Sequence, residues 1–385
     1  MNFFYRCSEC GRQFDITTDL MVCPACSVKQ RKDEPLRGVL EVGLEGRVGK
    51  KFKIHDLLPV EHEFFPPIPV GNTPLWHPLN LCQKYGFPYL YIKDDSLNPT
   101  GSLKDRASFL VSAFARKHRI KEVVVASTGN AASSMAGVGA AAGLNIKIFI
   151  PASAPKAKRV QALQYGAEVV SVDGNYDRAY DLSLEYSREH GSLRHRCLSR
   201  NTAYNPLTIE GKKTAALEIF RELGGVPEYL FLPAGDGVIL SGTYKGFEDL
   251  VSAGLSDRIP TIYAVQAEGS NAISHALREG EFRVSYSAAT VADSIAVDIP
   301  KNGYHALKHL RKYGGMCVEV SDEEILAAQR ELARETGLFA EPAASASLAG
   351  FLKVKDNLQR TAKVVLLVTG NGLKDIDAAM RGLGA

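Results

Sequence analysis

The segment Asn98-Pro99-Thr100-Gly101-Ser102-Leu103-Lys104-Asp105-Arg106 sets a lysine just after a proline-glycine turn, at the start of a helical apolar pattern from Ala107 to Lys117. An amine becomes a Schiff-base nucleophile when its basicity is lowered and its approach is fixed. A buried helix start supplies both, through desolvation and the positive end of the helix dipole. Read alone, the Ser-Leu-Lys-Asp-Arg string more often marks a capped, charged helix start. A second group with chemistry is Cys7-x-x-Cys10 and Cys23-x-x-Cys26, two hooks separated by twelve residues. That spacing can bring four thiolates tetrahedrally around one Zn2+ ion and predicts a zinc ribbon over residues 1–36. Each hook would be a tight turn, and the stretch with Gly11, Phe14 and the Thr17 to Asp19 turn a small hairpin. Four unligated thiols are the plainer alternative, and ribbons also occur in nucleic-acid proteins, so the hooks alone name no function. Cys82, Cys197 and Cys317 lack partner spacing and read as packed core residues.

These groups need elements to position them. Short β-branched runs at Val123 to Ala126, Ile146 to Ile150, Glu168 to Val172, Tyr229 to Leu232, Thr261 to Gln266 and Lys363 to Thr369 alternate with helical patterns. Such alternation predicts an α/β fold of βαβ units with mostly parallel sheets. Two of the strands run into polar glycine turns at helix starts. Ser127-Thr128-Gly129-Asn130 precedes a helix from Ala131 to Ala142, and Pro233-Ala234-Gly235-Asp236-Gly237-Val238-Ile239 precedes another. Open α/β sheets bind ligands at such carboxyl ends of strands. Backbone N–H groups of a glycine loop, with the helix dipole, can hold a phosphate without a cationic side chain. The stretch from Lys29 to Lys53 reads as a linker or edge region, followed by a proline-rich run from Phe64 to Pro69.

In this order the motifs resemble those of threonine synthase, a fold-type II pyridoxal-phosphate (PLP) enzyme family of the tryptophan synthase β-like fold. They are Gly71-Asn72-Thr73-Pro74-Leu75, the Lys104 segment, Ser127 to Asn130, the Gly235 loop with Tyr244-Lys245-Gly246-Phe247, Glu341-Pro342-Ala343-Ala344, and Thr369-Gly370-Asn371-Gly372-Leu373-Lys374-Asp375. The resemblance implies that Lys104 carries the cofactor and shuttles protons and that Asn130 bonds its 3-hydroxyl group. Gly235, Asp236, Gly237, Val238 and Ile239 would cradle its phosphate, and Thr369 would bond the pyridine nitrogen. A hydroxyl there, in place of a carboxylate, leaves that nitrogen largely unprotonated, which suits elimination and replacement chemistry. The family's reaction turns O-phosphohomoserine and water into threonine and phosphate. Also implied are a PLP domain over residues 37–385, two lobes with the cofactor between them, a mobile smaller lobe over roughly 107–205, and a homodimer.

The chain departs from the family pattern at Ala131, where a threonine is usual, and at Thr202, Ala203 and Thr208, where an asparagine-serine pair and an arginine are usual. Ile239 stands where the phosphate loop usually has an asparagine. Losing an arginine removes the planar fork that makes phosphate recognition strong. Lys156, Lys158, Arg159, Lys212 and Lys213 are the nearest replacements, and each is also readable as part of a solvated helix face. Three alternatives therefore stay open: a cysteate-synthase-like β-replacement on O-phosphoserine, a serine or threonine dehydratase, and a catalytically idle PLP-fold protein whose ribbon docks a partner.

Composition bounds the rest. A chain of 385 residues with 45% hydrophobic and 23% charged residues is too long for one core and predicts two or more lobes. Its 46 basic and 43 acidic residues are interspersed, so the net charge of +3 makes no field for nucleic acid or an anionic membrane. No run approaches the ~20 apolar residues of a bilayer span, and Cys7 and Cys10 stand where a leader would lie, so the expectation is a cytoplasmic protein; the resemblance implies a small, phosphorylated amino acid as its substrate.

Overall fold

Val364–Val368, five valines and leucines that are all buried, lies inside a six-stranded sheet. In sheet order the strands are Met316–Val320, Thr261–Ala267, Tyr229–Pro233, Val364–Val368, Leu90–Asp94 and Leu75–Trp76. All pairs are parallel except the last, where Leu75–Trp76 runs antiparallel at the edge. A parallel strand buried on both faces needs no polar alternation, which is why these strands read as unbroken apolar runs. The helix Pro342–Val354 packs on this sheet, with Phe351 edge-on to Phe231 at 5.7 Å and to Phe87 at 5.0 Å.

The structure, a computed structural model, describes residues 1–49, 51–153, 157–191, 197–283 and 287–383, the side chains of residues 157 and 158 excepted. The chain forms two compact units. The six-stranded sheet belongs to the second, made of residues 30–36, 72–97 and 213–385. Residues 1–29, 37–71 and 98–212 make the first, which holds two sheets. One is parallel, in the order Glu168–Val172, Asn145–Pro151, Glu122–Ala126, Cys197–Ser199. The other is antiparallel, with Asn2–Cys7 between Gln13–Phe14 and Leu40–Glu45.

The α/β expectation and its six strands agree with these elements to within two residues at each end. Of the two readings for Lys29 to Lys53, a linker or an edge region, the structure has an edge strand. Leu40–Glu45 is a strand paired along its whole length with Asn2–Cys7, and its first five residues are buried. Its alternation of Leu40, Val42 and Leu44 with polar or glycine positions is a period-two signal hidden among charges. Among the described residues no helix is long and apolar enough to cross a membrane.

Candidate active site

Lys104 is the first residue of the helix Lys104–Lys117, and the turn before it is closed by that helix's own first acid. The Thr100 N–H donates to Asp105 Oδ2 at 2.7 Å, and the Thr100 hydroxyl donates to Asp105 Oδ1. Asp105 is fully buried, so this pair of bonds is shielded from water and fixes the turn. Gly101, at φ +87, supplies the left-handed residue that the turn requires. Asn98 Oδ1 accepts the Gly71 N–H at 2.9 Å, tying the Gly71 motif to the lysine segment. Lys104 itself is half-buried, and the Ser102 hydroxyl two residues earlier is buried with no hydrogen-bond partner among the described residues.

In the same unit the strand Glu122–Ala126 ends at the Ser127 turn, and the helix Asn130–Ala141 begins there. Asn130, its first residue, is buried. This helix packs against the Lys104 helix, with Ser108 Oγ and Ser134 Oγ 2.7 Å apart at the contact. The adjacent parallel strand Cys197–Ser199 ends in Arg200, whose N–H donates to Val124 O at 2.8 Å. Asn201 Oδ1 accepts the Ala126 N–H at 2.8 Å. Arg200, absent from the sequence-based candidates, is therefore a fully buried cation at the carboxyl ends of the strands that carry the Ser127 turn. Its signal was a charged residue directly after a short buried run. A small recess of about 10 Å³ also opens beside the turn, lined by Ser127, Thr128, Ala132, Arg159 and Ala162 among others.

In the second unit the strands Tyr229–Pro233 and Val364–Val368 are parallel neighbours, so the Gly235 loop and Thr369 leave the sheet at the same edge. A Cβ on Gly235 would stand 3.0 Å from Ile295 Cα, and one on Gly237 would stand 2.8 Å from Ala306 Cβ. Gly237, at φ +85, caps the helix Val238–Ser252 with no side chain of its own. Asn302 pins the loop by donating to Gly237 O at 3.0 Å and Ser241 Oγ at 2.7 Å, while its buried Oδ1 has no partner among the described residues. Thr369 is buried, and the next residue, Gly370, leaves room for Glu341, whose carboxylate would collide with a Cβ there. The Glu341 and Thr369 motifs are thus one packed feature.

Each unit, taken by itself, holds features that suit part of a phosphate-tailed aldehyde. A glycine loop at a helix start makes a cradle that side chains would fill, and an orphaned hydroxyl stands in the turn that leads to a held lysine. Asp236 runs against the trend, since its carboxylate accepts the Val238 N–H at 3.1 Å and takes a donor from the cradle. Two motifs are structural. Lys93 is fully buried between Glu218 and Glu222, each at 2.8 Å, and donates to Thr73 O at 2.6 Å, while the Asn72 N–H reaches Glu218. Lys245 and Lys213 both bind Asp249, which leaves Lys213 neutralised inside the core rather than facing an anion.

The residues that depart from the family pattern form a closed turn. The Thr208 hydroxyl donates to Asn205 O at 2.7 Å and accepts the Ala203 N–H at 3.2 Å, and Thr208 is fully buried. Arg200 Nη1 donates to Thr202 Oγ1 at 2.8 Å. Ala131 follows Asn130 in the first turn of its helix. Of the replacement cations, Arg159 donates to Ala152 O at 3.0 Å and lines the recess, and Lys212 is buried. Lys156 and the side chain of Lys158 lie outside the described residues.

The four amino-terminal cysteines converge. Their sulfurs all lie within 4.8 Å of one another, and Cys10 Sγ is 3.8 Å from Cys23 Sγ. A tetrahedral zinc with bonds of about 2.3 Å needs sulfurs about 3.8 Å apart. Gly11, at φ +73, donates to Cys7 O at 3.0 Å and closes the first hook. The second hook is the short helix Pro24–Ser27, with Ser27 N–H on Cys23 O at 2.9 Å. Burial pushes the Cys7 thiol up and the Cys26 thiol to about 12, whereas a backbone hydrogen bond from Arg12 lowers Cys10 to about 7.

Comparisons with known proteins agree with this geometry. The profile of the family described as pyridoxal-phosphate dependent enzyme matches residues 68–370. A threonine synthase of Methanocaldococcus jannaschii is 33% identical over 98% of this chain and 94% of its own. One of Synechocystis is 37% identical over 82% of this chain and 80% of its own. Among solved structures, the processed form of threonine deaminase isoform 2 from Solanum lycopersicum superposes with a TM-score of 0.70 at 22% identity, over 86% of this chain and 92% of that one. Maize serine racemase superposes at 0.69 and 19% identity, over 82% and 92%. Both are likenesses of fold. The chain belongs to the pyridoxal-phosphate dependent enzyme family, where the relatives it matches over most of its length are threonine synthases.

Proposed function

We propose that this chain is a threonine synthase, converting O-phospho-L-homoserine and water to L-threonine and phosphate. The likeness to a threonine synthase over 98% of the chain carries that reading. Pyridoxal phosphate, when bound, supplies an electron-withdrawing ring that acidifies the substrate's Cα and, in turn, Cβ. Lys104 would hold the cofactor through Nζ and would take and return protons at that same atom. Asn130 would hold the ring through its 3-hydroxyl group, and the hydroxyl of Thr369 would bond the pyridine nitrogen. Main-chain N–H groups of Gly235 to Ile239 would hold the cofactor phosphate, where a helix start favours negative charge. The working unit is a homodimer in the cytoplasm.

Cys7, Cys10, Cys23 and Cys26 hold one structural Zn2+ ion. A divalent cation replaces the protons of the buried thiols, so metal affinity falls as pH falls. Purified protein should contain one equivalent of zinc and lose it on acidification; protein without metal at neutral pH would refute this site.

A second reading follows from the closed turn around Thr208, which presents no cation of its own to a departing phosphate. An enzyme that eliminates from threonine or serine, or exchanges the phosphate of O-phosphoserine for sulfite, would tolerate the same cofactor residues. Both readings are tested by offering O-phosphohomoserine, O-phosphoserine with sulfite, threonine and serine. Threonine and phosphate from the first substrate alone support the leading reading. Keto acid from threonine, with no turnover of O-phosphohomoserine, replaces it with the second.

A further inference from the structure

The helix Leu207–Lys212 has six residues, and all six are buried. A helix this short has no stability of its own, so it keeps its place only through what covers it. Part of that cover is the antiparallel sheet next to the cysteine hooks, whose strand Leu40–Glu45 packs against it. Tyr5, in the central strand of that sheet, is fully buried, and its hydroxyl has no hydrogen-bond partner among the described residues. What Tyr5 contributes is therefore the volume of its ring. The Glu210 side chain of the short helix is also fully buried.

The other side of this helix touches the Lys104 helix. A Cβ on Gly211 would collide with Arg106 O and stand 2.8 Å from Ala107 Cα, so the two backbones meet with no side chain between them. Arg106 lies in the first turn opened by Lys104, and its N–H donates to Leu103 O at 3.1 Å. A displacement of Gly211 has no soft side chain to absorb it and passes directly to that turn.

We propose that the amino-terminal ribbon is a positioning element for Lys104: its strand Leu40–Glu45 holds the Leu207–Lys212 helix against the first turn of the Lys104 helix, and the fully buried Tyr5 ring, on the strand residue paired with Val42, is the volume that keeps that strand in place. The inference rests on the reading of Lys104 as the cofactor-bearing amine, and Tyr5 acts through the strand Leu40–Glu45 and Gly211. Metal at the cysteine hooks fixes the sheet that carries Tyr5.

The test is hydrogen–deuterium exchange on cofactor-free protein, comparing wild type, Tyr5→Ala, Tyr5→Phe and wild type stripped of metal by a chelator. Tyr5→Ala and the stripped protein should exchange roughly tenfold faster over peptides spanning residues 100–110 and 205–213. Tyr5→Phe, which keeps the ring, should exchange at the wild-type rate. With cofactor added, Tyr5→Ala should shift the pH midpoint of the bound cofactor's absorbance and Tyr5→Phe should restore it. Faster exchange confined to residues 1–45, with 100–110 unchanged in both perturbed proteins, would overturn the proposal. Because the exchange measurement needs no cofactor, a Lys104→Ala protein that still binds cofactor covalently would defeat the reading of Lys104 without deciding the coupling, which the exchange rates decide separately.

Discussion

The loop at residues 235–239 and the turn at residues 202–208 are both expected to meet a phosphate, and they are built in opposite ways. The loop keeps space with Gly235 and Gly237, is pinned from outside by Asn302, and opens a fifteen-residue helix with no side-chain cap. The turn consumes its own polar groups. Thr208 bonds Asn205 and Ala203, Asn205 Nδ2 donates to Ser199 O at 2.8 Å, and nothing glycine-like holds a cavity open. An anion site needs donors left unspent inside a shape that side chains do not fill. The loop meets that condition and the turn does not. On the proposed reading, the loop holds the cofactor phosphate, while substrate phosphate recognition falls to side chains outside the turn; Arg200, a buried cation bonded to Thr202, is one candidate.

Three substitutions put this contrast to the test. Gly237→Val puts a branched side chain at φ +85 and 2.8 Å from Ala306, so cofactor affinity in a fluorescence titration should fall about 100-fold. Wild-type affinity would mean that the loop is not the cradle. Thr208→Val deletes two buried hydrogen bonds and should cost about 2 kcal/mol of unfolding free energy in urea, with cofactor affinity unchanged. If that variant kept its stability and instead lost kcat for the phosphorylated substrate, the turn would be a substrate contact after all. Asp236→Asn removes a carboxylate from beside the cradle, and cofactor affinity should rise by about fivefold, an effect that high salt diminishes. Weaker binding would show that Asp236 shapes the loop more than it repels the anion.

Much of this was legible in the sequence, for a physical reason. Parallel strands buried on both faces, such as Val364–Val368, leave unbroken apolar runs, and glycines at φ above zero mark turns that no other residue makes cheaply. Lys104 could be placed at a helix start because Gly101, Asp105 and the apolar spacing after it are local signals. What escaped was long-range. Leu40–Glu45 is a strand only because Asn2–Cys7 pairs with it, and its charges masked the alternation. Arg200 matters because Cys197–Ser199 lies beside Glu122–Ala126, a pairing across more than seventy residues. Glu341 and Gly370 explain each other only once they are in contact.

The central claim is that the Lys104 amine is the covalent anchor of the cofactor. Reduction of the holoenzyme with borohydride, followed by peptide mass spectrometry, should find the pyridoxyl mass on Lys104 and on no other lysine. Its absence, or its presence on another lysine such as Lys93 or Lys245, would contradict the account.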